Sequence, residues 1–103
     1  MFGLKVIKFG GSSLANGTQL KKVLQIVKDD ADRRIVVVSA PGKRNDSDEK
    51  VTDLLIKLAD EVKNKEDHKK TLKTILKRYQ DIVEELEIDP SVMEIISQNY
   101  EEL

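Results

Sequence analysis

Apolar residues change their spacing twice in the early part of the chain, and this change is the strongest constraint on the fold. A short apolar run at residues 4–9 is followed by apolar residues spaced as one buried helical face over residues 17–30. A continuous β-branched run then fills residues 35–38, which is typical of a parallel strand covered on both faces. Strand, helix and strand in this order predict one right-handed βαβ unit.

The remainder of the chain predicts a loop and three helices, with no strand-like segment after residue 39. Residues 43–50 contain nothing apolar and predict an exposed loop. Two strands alone do not make a stable α/β sheet, so we expect a weakly stable or oligomeric product if the segment is made alone. The later helices are predicted over residues 54–62, over residues 72–86, and from Asp89 as N-cap and Pro90 as first residue to Tyr100.

The composition fits one modest domain and excludes several kinds of partner. The 103 residues are 39% apolar and 36% charged, too short a chain to enclose most two-substrate reactions, so we expect a fragment. The net charge of −1, from 18 basic and 19 acidic residues, gives no basic field for nucleic acid or an anionic membrane. The sequence has no cysteine, secretory segment or long apolar run, and this predicts a cytoplasmic protein without disulfides.

A lysine and two glycines mark the end of the first predicted strand, where residues 8–13 read Lys-Phe-Gly-Gly-Ser-Ser. Backbone N–H groups at Gly10 and Gly11 can approach an anion closely, and Lys8 supplies a full positive charge. A helix starting near Asn16 would add the partial positive charge of its N-terminus. The segment matches neither of the common glycine-rich phosphate motifs. It predicts a phosphate site, with a simple turn as the alternative.

Ser39 follows the second predicted strand. Because the carboxyl ends of parallel strands meet at one edge of a sheet, we expect Ser39 and Ala40 to lie beside Gly10, Gly11 and Ser12. A substrate would then bind between these two small, hydroxyl-rich loops. The alternative is that Ser39 only caps a turn.

Other polar groups predict no site. The single histidine, His68, lies among charged residues and predicts a solvated face. A calcium loop starting at Asp46 would require glycine and glutamate at the positions that Val51 and Lys57 occupy. The lysine and glutamate runs over residues 60–87 fall beside the apolar helical stripe, so a solvated helix face is expected there.

Three segments together resemble the start of the aspartokinases. They are Val-Ile-Lys-Phe-Gly-Gly-Ser-Ser at residues 6–13, Val-Val-Val-Ser-Ala at residues 36–40 and Val-Thr-Asp-Leu-Leu at residues 51–55. The resemblance implies an α/β chain with part of an amino acid kinase (carbamate kinase-like) αβα sandwich, here one βαβ unit followed by helices. It also implies an enzyme that transfers the γ-phosphoryl group of ATP to the β-carboxylate of L-aspartate. The product, 4-phospho-L-aspartate, would serve lysine, threonine and methionine biosynthesis.

The same resemblance implies roles for individual residues. Lys8 would be catalytic, stabilising charge on the transferring phosphoryl group, and Ser39 and Thr52 would contact aspartate. Mg²⁺ would accompany ATP, and no metal site built by the chain itself is expected. The acceptor carboxylate is already deprotonated, so no general base is required. The ATP phosphates would be held by Lys8, Gly10, Gly11 and Ser12.

The resemblance covers nearly the whole chain, so residues 1–103 are predicted to be the N-terminal part of an amino acid kinase domain. The rest of that domain and the regulatory ACT domains of aspartokinases would lie outside the segment, which alone would be inactive. We expect a homo-oligomer or association with the remaining kinase chain. The alternative is a non-catalytic helical interaction or oligomerisation module derived from an amino acid kinase.

Overall fold

Two parallel strands and four α-helices form the computed structural model, which describes residues 3–101. The predicted order of strand, helix, strand and three further helices is confirmed. None of the helices in the described range is both long and apolar enough to cross a membrane. The elements are β1 (Lys5–Phe9), a 3-10 helix (Gly11–Leu14) that the sequence does not predict, α1 (Gly17–Lys28), β2 (Arg33–Val38), α2 (Val51–Lys63), α3 (Lys69–Leu86) and α4 (Ser91–Glu101).

The two strands pair in parallel, and one face of β1 carries the first core cluster. Phe9 pairs with Val38 at the carboxyl end of the sheet. Phe9 also packs against Leu14 and Val23, so the 3-10 helix and α1 cover this face of β1. The Asn16 side chain accepts a hydrogen bond of 3.0 Å from an N–H in the first turn of α1, which fixes the predicted helix start.

β2 is exposed, contrary to the expectation that its β-branched run is covered on both faces. Its four apolar side chains, residues 35–38, are between 39% and 59% exposed. α1 contacts both strands, but its core packing is against Phe9 and Ile7 of β1, and the side chains of β2 stay largely open among residues 3–101. The β-branched run therefore leaves an apolar surface open on the described chain.

A second core cluster joins α2 to α3. Leu54 and Leu58 of α2 pack against Ile75, which is fully buried on α3. α4 begins after Asp89, whose carboxylate accepts a hydrogen bond of 3.0 Å from the Ser91 N–H, as its position before a proline predicts. These contacts confirm the three predicted later helices.

α1 and α3 cross at close range and connect the two clusters. A Cβ atom at Gly17 would lie 2.3 Å from the Glu85 Cβ, so only glycine allows this approach. The Glu85 carboxylate also accepts a hydrogen bond of 3.1 Å from the Gly17 N–H. The start of α1 is therefore bound to the later part of α3.

Candidate functional site

A cleft of about 430 Å³ opens where the two strands end. It lies between the loop after β1, the loop after β2 and the first turn of α2. Four of the sequence-predicted site residues meet in its wall, since Gly11, Ser12, Ser39 and Thr52 all line it. The complete lining is Gly11, Ser12, Ser39, Ala40, Pro41, Gly42, Lys43, Lys50 and Thr52.

The two strand-end loops touch through their backbones. The Gly42 N–H donates a hydrogen bond of 2.8 Å to the Gly11 carbonyl. A Cβ atom at Gly42 would lie 2.7 Å from the Gly11 carbonyl carbon, which is closer than non-bonded atoms allow. A Cβ atom at Gly11 would lie 3.2 Å from the Ala40 carbonyl oxygen. The predicted juxtaposition of the two loops is therefore present, and it depends on glycine at residue 42.

Lys8 and Gly10 lie at the same edge of the sheet but do not line the cleft. Lys8 is exposed and pairs in register with Val37. Side chains alternate along a strand, so Lys8 lies on the face of β1 opposite Phe9 and α1. Gly10 is exposed, and a Cβ atom there would meet nothing within 4 Å.

No residue of α1 lines the cleft, and the expectation that its N-terminus adds positive charge to a phosphate site stays a prediction. The 3-10 helix begins at Gly11 and lies between Gly10 and α1. The first amides of α1 bond instead to the Asn16 side chain and to the Glu85 carboxylate. α2 is the helix that starts at the cleft. Its first turn places Thr52 beside the glycine loop, which comprises Gly10, Gly11 and Ser12.

Sequence reasoning missed two lysines at the cleft. Lys43 and Lys50 are exposed and line its rim, although residues 43–50 predict only a solvated loop. These lysines stand at the two ends of that loop, directly beside the segments that carry Ser39 and Thr52. Two ammonium groups, three hydroxyls and the closely spaced loop backbone make the cleft suitable for an anion.

Arg78 is a second residue that sequence reasoning missed. It is only 3% exposed on α3, and its Nη2 donates to the Gly42 carbonyl at 2.6 Å. Its Nη1 donates to the Glu49 carbonyl at 2.7 Å. Its spacing in the sequence could have indicated its burial. Arg78 follows Ile75 by three residues and precedes Ile82 by four, so it lies on the buried stripe of the helix.

Ion pairs attach the 43–50 loop to α3. Arg44 bonds to Asp48 at 2.8 Å within the loop and to Asp81 of α3 at 3.2 Å. The hydrogen bond from the Arg44 side chain holds the pKa of the Asp48 carboxyl well below its usual range, and the Arg78 charge acts in the same direction. Burial lowers the pKa of the Arg78 guanidinium, which the charge of Asp48 opposes.

Comparison with known proteins assigns this chain to a family. A protein-family model described as "Amino acid kinase family" matches residues 3–99 of this chain. The chain belongs to the amino acid kinase family. The predicted fold class is thereby confirmed, as is the prediction that the sequence comes from an enzyme family.

The relatives of this amino acid kinase segment are aspartokinases, which confirms the resemblance found in the sequence. Aspartokinase 3 of Bacillus subtilis (strain 168) is 47% identical over 93 residues, which are 90% of this chain and 20% of that protein. The crystal structure of Clostridium acetobutylicum aspartate kinase matches with a TM-score of 0.80 and 45% identity, over 91% of this chain and 22% of that chain. E. coli aspartokinase III, in complex with aspartate and ADP, matches with a TM-score of 0.70 and 29% identity, over 92% of this chain and 20% of that chain. This chain spans about a fifth of the length of these relatives.

Proposed function

We propose that this chain is the N-terminal part of an aspartate kinase, which transfers the γ-phosphoryl group of ATP to the β-carboxylate of L-aspartate. The product is 4-phospho-L-aspartate, an intermediate for amino acid biosynthesis in the cytoplasm. The observation that carries the proposal is the cleft that joins Gly11, Ser12, Ser39 and Thr52 in a chain 47% identical to an aspartokinase. The complex of E. coli aspartokinase III with aspartate and ADP supports both substrates.

The proposed site has a nucleotide side, formed by cleft residues and the neighbouring Gly10, and an acceptor side. On the nucleotide side, Gly10, Gly11 and Ser12 hold the ATP phosphates through backbone N–H groups and a hydroxyl. On the acceptor side, the hydroxyls of Ser39 and Thr52 contact aspartate.

Lys8 stabilises the negative charge on the transferring phosphoryl group. Phosphoryl transfer between two anions is accelerated mainly by fixed positive charge and oriented N–H dipoles, which is what a lysine beside a glycine loop supplies. The acceptor carboxylate is ionised at neutral pH, so the reaction needs no general base from the protein.

Magnesium fits this site as a partner of the nucleotide. Residues 3–101 contain no group of three or more histidine, cysteine, aspartate or glutamate side chains placed to hold a metal. Mg²⁺ commonly binds through substrate phosphates with few protein ligands, so the donors at the cleft suit an ion that arrives with ATP. Its charge would neutralise the phosphate oxygens, while the chain's own N–H groups and lysines orient them.

The remaining kinase chain is the partner that the proposal requires. The segment spans about a fifth of its relatives, and further parts of the catalytic domain and ACT regulatory domains would lie beyond it. The exposed apolar surface of β2 provides a place where further strands and helices of that domain can pack.

A chimeric enzyme tests the proposal. Residues 3–99 replace the matching segment of Bacillus subtilis aspartokinase 3, and hydroxylamine traps the acyl phosphate as a coloured hydroxamate. We expect hydroxamate formation that requires both ATP and aspartate. A chimera that is folded by circular dichroism and sedimentation but shows no aspartate-dependent turnover would refute the proposed function.

A non-catalytic interaction module is the second candidate, and exposed apolar side chains on the helices favour it. Ile56 on α2 and Ile95 on α4 are 62% and 61% exposed. In this case the helices would pair with a second copy or with the kinase chain. A 103-residue chain that sediments as a monomer at all accessible concentrations would argue against self-pairing.

A further inference from the structure

The 43–50 loop is closed at its base by backbone contacts. The Val51 N–H donates to the Pro41 carbonyl at 3.0 Å, so the chain enters and leaves the loop at one place. Within the loop, the Arg44 N–H donates to the Asp48 carboxylate at 3.0 Å. The loop is thus a compact unit whose base lies at the cleft, in the manner of an Ω-loop.

Arg78 of α3 contacts both sides of this base. One arm of its guanidinium donates to the Gly42 carbonyl at 2.6 Å, and the other to the Glu49 carbonyl at 2.7 Å. The same group lies 3.4 Å from the Asp48 carboxylate. A planar guanidinium can hold two carbonyls at a fixed separation, which a lysine ammonium cannot do in the same way.

The positions of these two carbonyls connect Arg78 to the cleft. Gly42 contacts Gly11 of the glycine loop. Glu49 directly precedes Lys50, which is followed by the first turn of α2 with Thr52. Arg78 therefore holds both ends of the loop between Ser39 and Thr52, and one of these ends contacts Gly11.

Helix pairing does not depend on this arginine. The α2–α3 cluster of Leu54, Leu58 and Ile75 already buries the apolar faces of the two helices. Two hydrogen bonds of Arg78 go to the Gly42 and Glu49 carbonyls beside the cleft, and a longer one of 3.4 Å goes to the Ala15 carbonyl after the 3-10 helix. Its buried charge thus serves the geometry of these segments rather than the packing of the helices.

We propose that Arg78 is a positioning residue for the acceptor side of the cleft, where it fixes Lys50 and Thr52 relative to the contact between Gly11 and Gly42. This inference rests on the proposed aspartate kinase function. Arg78 does not line the cleft. It acts through the loop base that carries the aspartate-binding groups.

Steady-state kinetics of the chimera test this role. Arg78→Lys keeps the charge but removes the two-armed contact, and we expect the KM for aspartate to rise about tenfold, as small misplacements of substrate groups do. The KM for ATP should stay within about twofold, because Arg78 makes no hydrogen bond to Gly10, Gly11 or Ser12. Lys77→Ala is the matched control, since Lys77 is an exposed neighbour on α3 that pairs only with Asp81 in the described structure.

A purely structural role predicts a different result for the same variants. In that case Arg78→Lys would lower the melting temperature and the amount of active enzyme but leave the KM for aspartate unchanged. An unchanged KM, or an equal rise with Lys77→Ala, would overturn the proposal.

Amide hydrogen exchange in the 103-residue chain gives a second readout that does not need activity. With Arg78→Lys, we expect the Gly42 and Val51 amides to exchange about tenfold faster, while the amides of β1 keep their rates. If the wild-type chimera has no aspartate-dependent turnover, the proposed function fails, and this measurement still decides whether Arg78 holds the cleft. Unchanged exchange at both amides would overturn the role of Arg78 itself.

Discussion

Gly42 sets how closely the two cleft loops approach each other. Its Cα has no neighbouring space for a side chain, because a Cβ atom would lie 2.7 Å from the Gly11 carbonyl carbon and 2.9 Å from the Ser12 nitrogen. These neighbours are backbone atoms, which cannot rotate away as a side chain can. One added methyl group would therefore move the loops that form the site apart.

We expect Gly42→Ala to destabilise the chain by about 1–3 kcal/mol, the usual cost of overpacking. Gly10→Ala is the matched control, since Gly10 has a negative φ of −77° and nothing within 4 Å of the added Cβ position. Its effect should stay within about 0.5 kcal/mol. Urea unfolding followed by circular dichroism measures both changes, and equal effects of the two variants would contradict the argument.

Among single substitutions, we expect the one at Lys8 to lower kcat the most. In the chimera, Lys8→Ala should lower kcat by about 10²–10³-fold, because in its proposed role Lys8 supplies a fixed charge to the transferring phosphoryl group. Lys5→Ala is the control, since Lys5 lies at the opposite end of β1 and pairs with Asp30. Near-normal turnover of Lys8→Ala, or a matching loss with Lys5→Ala, would refute the assigned role.

The 43–50 loop is the element whose stability depends most directly on charge. Asp48 joins Arg44 within the loop and Arg78 on α3, and these partners hold its pKa below the value near 3.9 of an unfolded chain. A carboxyl with a lowered folded-state pKa stabilises the structure above its unfolded pKa. This contribution is lost as the pH falls towards the folded-state pKa.

The loop should therefore be ordered above about pH 4 and loosen progressively below it. Nitrogen-15 relaxation of the Arg44 amide would report this as increased fast motion at low pH. Asp48→Asn should show the looser loop at neutral pH and little further change on acidification. Asp46→Asn, in the same exposed loop, is the control that should behave like wild type.

The elements differ in how far sequence could predict them. The spacing of apolar residues was sufficient for β1, α1, β2 and the three later helices, because each has a regular stripe or run. The 3-10 helix after Gly10 has no such signal, since four residues are too few to show a period. Its presence is also why α1 starts away from the cleft.

The sequence predicted the cleft residues whose positions are set by the strand ends. It missed residues whose positions depend on tertiary contacts. Ser39 and Gly11 meet because parallel strands end at one edge, a rule that sequence can use. Arg78 is distant in sequence from its partners at Gly42 and Glu49. The role of Arg78 follows from the packing of α3. In the sequence, only its position on the apolar stripe of the helix indicated that its side chain is buried.

At the scale of the whole molecule, the chain is extended rather than spherical. Its radius of gyration is 15.7 Å, compared with about 13 Å for a compact domain of this length. The βαβ unit and the α2–α3 pair form separate core clusters, and the sheet contains only β1 and β2 among the described residues. Exposed apolar side chains on β2 leave a surface that association can cover.

We expect concentration-dependent association of the 103-residue chain, driven by this sheet surface. Ile35→Lys, at a strand position that is 46% exposed, should shift sedimentation towards monomer. Ile56→Lys makes the same change on α2, at a position that is 62% exposed, and should have little effect. The opposite ranking would favour the helical interaction module instead.

The closed base of the 43–50 loop has a consequence for how this region can diversify. Because the Val51 amide meets the Pro41 carbonyl, extra residues inserted at the exposed tip, between Asp46 and Ser47, need not displace the start of α2. Each doubling of loop length costs only about 0.6 kcal/mol of closure entropy. The tip is thus a natural point for a reporter graft that leaves the cleft unchanged.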